Sequence, residues 1–212
     1  IGYREPDFAV NPIACNLGAI EKEIQKAREL AGGGIIGVNI MVATRQYEDY
    51  VKAAVAAGAD CIISGAGLPL TLPELTKDSD TKIAPIVSSV KSLSVISRYW
   101  MKKYQRKPDF VVVEGPLAGG HLGFTREELE QLTPQTYDRE IRAIICMAQE
   151  MNVPVIVAGG VYTRQDMEHY LEMGASGVQM ATRFVTTKEC DASDAYKQAY
   201  IAAGREDIVI VK

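Results

Sequence analysis

The residues best suited to chemistry lie in one stretch, Asp109 to Gly123, which reads DFVVVEGPLAGGHLG. An apolar run, Phe110–Val113, is long enough for one buried parallel strand. A carboxylate, Glu114, follows at the strand's carboxyl end, and after it comes a loop with four glycines (Gly115, Gly119, Gly120, Gly123) and a histidine, His121. Glycine lets the backbone approach a ligand closely, and imidazole moves protons near neutral pH. The chain has only two histidines, and this one stands where a base would be placed. Glu114 could take part in proton transfer or orient the loop through hydrogen bonds. His169, among Asp166, Glu168 and Glu172 in a helical pattern, reads as a surface residue.

Two further strand ends could bind an anion. Val153–Val157 runs into Ala158-Gly159-Gly160, and Gly177–Ala181 runs into Thr182-Arg183. Paired glycines and a hydroxyl, placed before helices, offer backbone N–H groups of the kind that hold phosphate at the last two strands of a barrel. A tight strand-to-helix turn is the plainer reading of Gly159-Gly160. Asn39 lies within an apolar strand, where its amide needs a partner. Ser64-Gly65-Ala66-Gly67 is small enough for a flat ring to pass. Lys91 reads either as a solvated charge or as a cation facing an anionic cofactor. Neither a Rossmann nor a P-loop glycine motif occurs, and Gly32-Gly33-Gly34 reads as a helix end.

The elements that must position these residues alternate. Apolar runs at Ile35–Met41, Cys61–Ser64, Ile83–Ser88, Phe110–Val113, Val153–Val157 and Gly177–Ala181 are separated by helical patterns near 13–30, 45–57, 92–104, 137–151 and 163–173, with a last helix at 191–203. Thr163 is the expected N-cap of the fifth pattern, with Asp166 as capping-box partner. The alternation predicts βα units and a parallel sheet. Ala57-Gly58-Ala59-Asp60 and Met173-Gly174-Ala175-Ser176 both precede a strand, an internal echo that favours a barrel over an open sheet. A (β/α)8 barrel takes about 250 residues; this chain has 212 and opens on Ile1 rather than methionine. The expectation is one domain, 1–212, whose first two barrel strands lie upstream. Ile208–Val211 is an isolated seventh apolar run.

Bulk composition narrows the function. The chain is 47% hydrophobic and 24% charged, with a net charge of -4, giving no electrostatic reason to expect nucleic acid or an anionic membrane. No apolar run nears the roughly 20 residues that span a bilayer, and no signal peptide opens the sequence. Cys15, Cys61, Cys146 and Cys190 are far apart, which reads as free buried thiols in a reducing cytoplasm. No metal site is expected.

Taken together, Glu114-Gly115-x-x-Ala118-Gly119-Gly120-His121-x-Gly123, Ala158-Gly159-Gly160 and Gln179-Met180-Ala181-Thr182-Arg183-Phe184 resemble the nitronate monooxygenase (2-nitropropane dioxygenase) family, with flavin-dependent enoyl-ACP reductase II as a near relative. Val38–Met41, Ser64–Gly67 and Lys188–Asp191 agree in order and spacing, so the resemblance covers nearly the whole chain. It implies a TIM barrel with FMN at the carboxyl ends of the strands, the six strands here corresponding to the third through eighth. The first two family strands, with a Gly-rich segment that touches the flavin, are absent from this sequence. The resemblance implies that the FMN phosphate sits on Gly159, Gly160, Ala181 and Thr182, with Ala158, Gln179 and Met180 in the same walls. It places Asn39 and Lys91 toward the ring and ribityl chain, Glu114, Gly119 and Gly120 close to the cofactor, and His121 beside the flavin as catalytic base or anion-orienting group. The implied substrate is a small molecule, a nitronate oxidised with O2 or, in the reductase branch, an enoyl thioester reduced with NAD(P)H. A homodimer is the candidate assembly. The loop Leu122–Leu129, followed by a long helix, leans toward the monooxygenase branch. A non-redox barrel binding a phosphorylated compound is a third reading, separable by the absence of flavin.

Overall fold

A computed structural model describes residues 5–210. Helix α1 (Pro12–Ala31) has proline in its first turn, Asn11 as N-cap and Gly32 as a left-handed C-cap, the favoured placement of each residue type. It leads to β1 (Gly37–Met41), α2 (Tyr47–Ala56), β2 (Cys61–Gly65), the single turn α3 (Leu72–Leu75), β3 (Lys82–Val87) and α4 (Val90–Tyr104). Then come β4 (Val111–Glu114), α5 (Arg126–Gln131), α6 (Pro134–Glu150), β5 (Val155–Ala158), α7 (Arg164–Glu172), β6 (Gly177–Gln179), α8 (Thr182–Val185), α9 (Asp194–Ala202) and a 3-10 turn (Arg205–Asp207).

All six strands are parallel and pair in sequence order, β1-β2-β3-β4-β5-β6. Parallel crossovers are right-handed, so an order that never reverses stacks every helix on one face and leaves the other facing inward. The result is a curled half-barrel, a partial TIM barrel. Helix periodicity supplies the outer layer: α4 buries Leu93, Ile96 and Trp100, and α6 buries Ile141, Ile144, Ile145 and Ala148, the spacing of one apolar helical stripe. They pack on Ile62, Ile83, Val87, Val111, Val113, Val155 and Val157 from the sheet. Trp100, fully buried, satisfies its indole by donating to Pro69 O at 3.0 Å.

The amino ends of the strands repeat two devices. Helices α2, α6 and α7 end in the same turn: Gly58, Asn152 and Gly174 have positive φ, and the next residue's N–H reaches back to Ala54 O, Ala148 O and Tyr170 O at 3.0, 2.9 and 3.1 Å. These 6→1 closures satisfy carbonyls that a helix end leaves free. Before β2, the Asp60 carboxylate accepts the Ile36 N–H at 2.7 Å and an Arg28 contact at 3.2 Å. Before β4, Asp109 accepts the Ile83 N–H at 2.8 Å and Arg106 at 3.1 Å. The Ile36 N–H holds the Asp60 carboxyl below its ordinary range, helped by Arg28.

These devices explain where the strands depart from expectation. The first begins at Gly37 rather than Ile35, because the Ile36 N–H serves the Asp60 clamp. The fifth begins at Val155 because the Val153 N–H closes α6. The sixth stops at Gln179, since Ala181 has already turned to open α8. Short helices α3, α5 and α8 are additions to the expected set. Residues 208–210 form no strand and are exposed, and Val211 lies outside the described residues. The cysteines are free but not buried: Cys146 is exposed and the others intermediate. Cys146 falls beside, not on, the apolar stripe of α6. Among the described residues no helix is long and apolar enough to cross a membrane.

Candidate active site

The register decides which side chains meet. Glu114 pairs with Ala158, and Ala158 with Gln179. Val111 and Val113 pack against the helices, so strand alternation puts Glu114 on the opposite, inward face, and its row with Ala158 and Gln179 forms the floor of a cavity. The cavity is about 250 Å³ in volume. One wall is the β4 loop, with Leu117, Ala118 and Gly119. The second is the β5 loop, with Gly159, Gly160, Val161 and Tyr162. Ala181 and Thr182 from the β6 end complete it.

The β4 loop is anchored at both ends and open at its tip. Gly115 N–H donates to Ala158 O at 2.9 Å, and Ala118 N–H closes a turn onto Gly115 O at 3.1 Å. At the far end Ser88 Oγ donates to Gly123 O at 3.0 Å, tying the loop to the end of β3. Thr125 then caps α5 in a reciprocal box with Glu128. Between these anchors a side chain at Gly119 or Gly120 would meet no protein atom within 4 Å. Gly120, at φ +89°, needs glycine for its backbone; Gly119 has no packing reason to be glycine. His121, next along, is exposed.

The β5 glycines are different. Gly159 and Gly160 have φ of +91° and +74°. A Cβ at Gly159 would lie 3.0 Å from Ala118 N, and one at Gly160 would lie 2.8 Å from Leu117 Cβ. Their identity is therefore set by the β4 loop stacked against them, which brings bare backbone to the cavity wall. The Thr163–Asp166 capping box fixes the far end of this loop. Thr163 Oγ1 accepts the Asp166 N–H at 3.2 Å, and the Asp166 carboxylate accepts the N–H groups of Thr163 and Tyr162 at 2.7 and 3.0 Å. Those donors, Thr163 foremost, hold the Asp166 carboxyl below its ordinary range.

Burial pushes the half-buried Glu114 carboxyl up, and His121, within electrostatic reach, pulls it partly back. Behind it, Tyr137 of α6 lies against Gly115, its hydroxyl buried with no hydrogen-bond partner among the described residues. Burial raises that phenol strongly.

Of the residues expected at a cofactor site, Glu114, Gly119, Ala158, Gly159, Gly160, Gln179, Ala181 and Thr182 come together around the cavity. Gly120 and His121 follow Gly119 on the same loop, and Met180 lies between two lining residues. Asn39 and Lys91 are not in the cavity. Asn39 is exposed on β1, three strands from β4. Lys91 is exposed in the first turn of α4, where a cation opposes the helix dipole. Leu117, Ala118, Val161 and Tyr162 line the cavity without having been expected there; no periodicity marks a loop residue, and only proximity to the glycines could have suggested them. His169 is a surface residue, as expected, but is engaged: Nε2 lies 3.1 Å from Asp138 Oδ1 on α6.

The profile of the family described as nitronate monooxygenase matches residues 7–212. The chain belongs to that family. It is 29% identical over 171 residues to a probable nitronate monooxygenase of Staphylococcus saprophyticus, covering 80% of this chain and 46% of that protein. It is 34% identical over 102 residues to a hydroxy-methyl-oxo-octahydroindene-carboxyl-CoA dehydrogenase of Rhodococcus jostii, covering 48% of this chain and 25% of that one. Among solved structures, FabK from Thermotoga maritima superposes with a TM-score of 0.71 at 28% identity, covering 88% of this chain and 53% of that one. A nitroalkane oxidase from Streptomyces ansochromogenes gives 0.67 at 18% identity, over 86% and 59%, a likeness of fold. The chain spans about half the length, or less, of the curated relatives it matches.

Proposed function

We propose that this chain carries the cofactor-phosphate and catalytic-loop portion of an FMN-dependent oxidoreductase that oxidises alkyl nitronates with O2. The observation that carries the reading is convergence: a Gly-Gly-His loop and two backbone-walled strand ends meet in one cavity at the carboxyl ends of β4, β5 and β6. In barrels that is where chemistry lies, with phosphate at the last two strands.

The residues present fit the phosphate end of FMN. Gly159, Gly160 and Ala181 offer backbone, Thr182 a hydroxyl and Gln179 an amide, all neutral groups suited to an anion. Glu114, the one carboxylate lining the cavity among the described residues, lies across the floor, and burial raises its carboxyl. At about 250 Å³ the cavity is smaller than the roughly 300–1,000 Å³ of pockets that enclose whole ligands. It has room for the phosphate end, and the ring would lie outside it, toward the inward face of the sheet. That face is open toward β1, where Met41 is 44% exposed. The six strands are read as the third to eighth of the barrel, with the remaining two covering that side.

FMN, when bound, supplies the electron acceptor. His121, on the open loop tip, would hold the anionic nitronate, or would take the α-proton of a neutral nitroalkane to form it, and Gly119 would let ring and loop approach. FMN, the nitronate and the role of His121 are what the family resemblance implies; the cavity and loop geometry support them.

One observation favours a second reading. FabK, which reference structures of this fold include at 28% identity, corresponds to the NAD(P)H-dependent enoyl-ACP reductase branch. An anaerobic visible spectrum of the full-length protein separates the two. A flavin spectrum unchanged by NADPH and NADH but bleached by ethyl or propyl nitronate is the expected result. Bleaching by a nicotinamide would move the assignment to the reductase branch. A protein that neither carries nor binds flavin would sink both, leaving a non-redox phosphate-binding barrel.

A further inference from the structure

Arg183 ties together the two loops that wall the phosphate end of the cavity. It belongs to the β6 side, one residue after Thr182, yet its guanidinium crosses to the β5 side. Nη1 donates to Tyr162 O at 3.2 Å, and the guanidinium carbon lies 5.1 Å over the centre of the Tyr162 ring. Tyr162 and Thr182 both line the cavity. Tyr162 is thus gripped from two directions, its N–H held by Asp166 of α7 at 3.0 Å and its carbonyl by Arg183. A planar guanidinium can stack on a ring and donate in its plane at once, which an ammonium cannot. Among the described residues Arg183 makes no ion pair with a carboxylate; its partners are the Tyr162 carbonyl and ring.

We infer that Arg183 is a positioning residue for the cofactor phosphate: by strapping the β6 end to Tyr162 it holds the two backbone walls at phosphate-binding spacing, and it leaves a positive charge unneutralised at their rim. The inference rests on the FMN reading above. It assigns a specific function to a side chain that is exposed and would otherwise be a solvated surface charge.

The test compares FMN with riboflavin, which has the ring and ribityl chain but no phosphate. Dissociation constants for both are measured by flavin fluorescence in the full-length wild type, Arg183→Ala, Arg183→Lys and Tyr162→Leu, with thermal melts as a folding control. Arg183→Ala should weaken FMN about tenfold or more, the scale of one charge-assisted interaction, and leave riboflavin unchanged. Arg183→Lys, which keeps charge but loses the stacked fork, should fall between. In a Tyr162→Leu background the Arg183→Ala loss should be smaller, because the stacked half of the strap is already gone and only the bond to the residue-162 carbonyl remains to be lost. Equal FMN affinity in wild type and Arg183→Ala overturns the inference. So does a parallel loss of FMN and riboflavin, which would mark general damage to the loops. A wild type that binds neither flavin removes the FMN reading itself, and the role of Arg183 falls with it.

Discussion

The two ends of the parallel strands treat their polar groups in opposite ways. At the amino ends, carboxylates and backbone donors serve the protein. Asp60 and Asp109 each take a backbone N–H and an arginine, Thr81 Oγ1 donates to Ala59 O, and Lys107 reaches the carbonyls of Met151 and Asn152. At the carboxyl ends, Glu114 is half-buried and raised, a side chain added at Gly119 or Gly120 would meet no described atom within 4 Å, and His121 is exposed. The amino end is satisfied internally; at the carboxyl end, between the Ser88–Gly123 and Thr163–Asp166 anchors, the cavity is left open. In a barrel the first is the stability face and the second the reactive one.

Mutations at the two ends should therefore separate activity from stability. The largest effect is expected at His121: replacing it by alanine should lower turnover by about 10²–10⁴-fold, the range for a lost acid-base group, with flavin still bound and the melting temperature little changed. Full activity in that variant would end the mechanistic proposal. Next comes Gly159→Val. Its Cβ would press on Ala118 N at 3.0 Å from a φ of +91°, so the β4 and β5 loops must part. FMN affinity should drop more than tenfold, since the strain alone is of order 1–3 kcal/mol.

At the amino ends, Asp109→Ala leaves the Ile83 N–H without its acceptor and should destabilise by about 1–3 kcal/mol, measured by urea unfolding. Turnover per folded molecule should be unaffected. A loss of turnover without loss of stability would blur the division between the ends.

The smallest effect concerns pH. Folding raises the Glu114 carboxyl above its ordinary value of 4.5, so the folded protein binds that proton more tightly than the unfolded chain does. Its contribution to stability is therefore lost as pH rises from the unfolded value through the folded one, and stays lost above. Glu114→Gln should match the wild type in melting temperature below about pH 4 and exceed it at neutral pH. An unchanged difference across that range would mean that burial at this position exerts no cost on the charge.

What was legible in the sequence follows the same division. Strand order and the location of the reactive loops could be read because apolar runs and the glycines after them are local signals. The second and sixth strand starts, Cys61 and Gly177, could be read as well; the first could not, because Asp60, which takes the Ile36 N–H, lies some two dozen positions away beside a neighbouring strand. The α5 helix was within reach, since Thr125 and Glu128 form a capping-box pattern. Asn39 and Lys91, which the resemblance places toward the ring and ribityl chain rather than the phosphate, stand outside the cavity, and spacing along a chain does not say how far apart two strands of a curled sheet stand. Arg183 was visible as a residue, but only the fold shows its guanidinium lying on Tyr162.

The uninterrupted strand order has a mechanical consequence. Each strand is bonded only to the strands before and after it in sequence, so cohesion along the sheet resembles that of a linear array of repeats, a sum of nearest-neighbour interfaces. Adding or removing a unit at either end changes one interface and leaves the interior ones as they were. The cavity lies between β4, β5 and β6, so its geometry is insulated from events at β1 by three intervening pairings. A ligand that bridges the two ends of the array would turn these local interfaces into one cooperative ring.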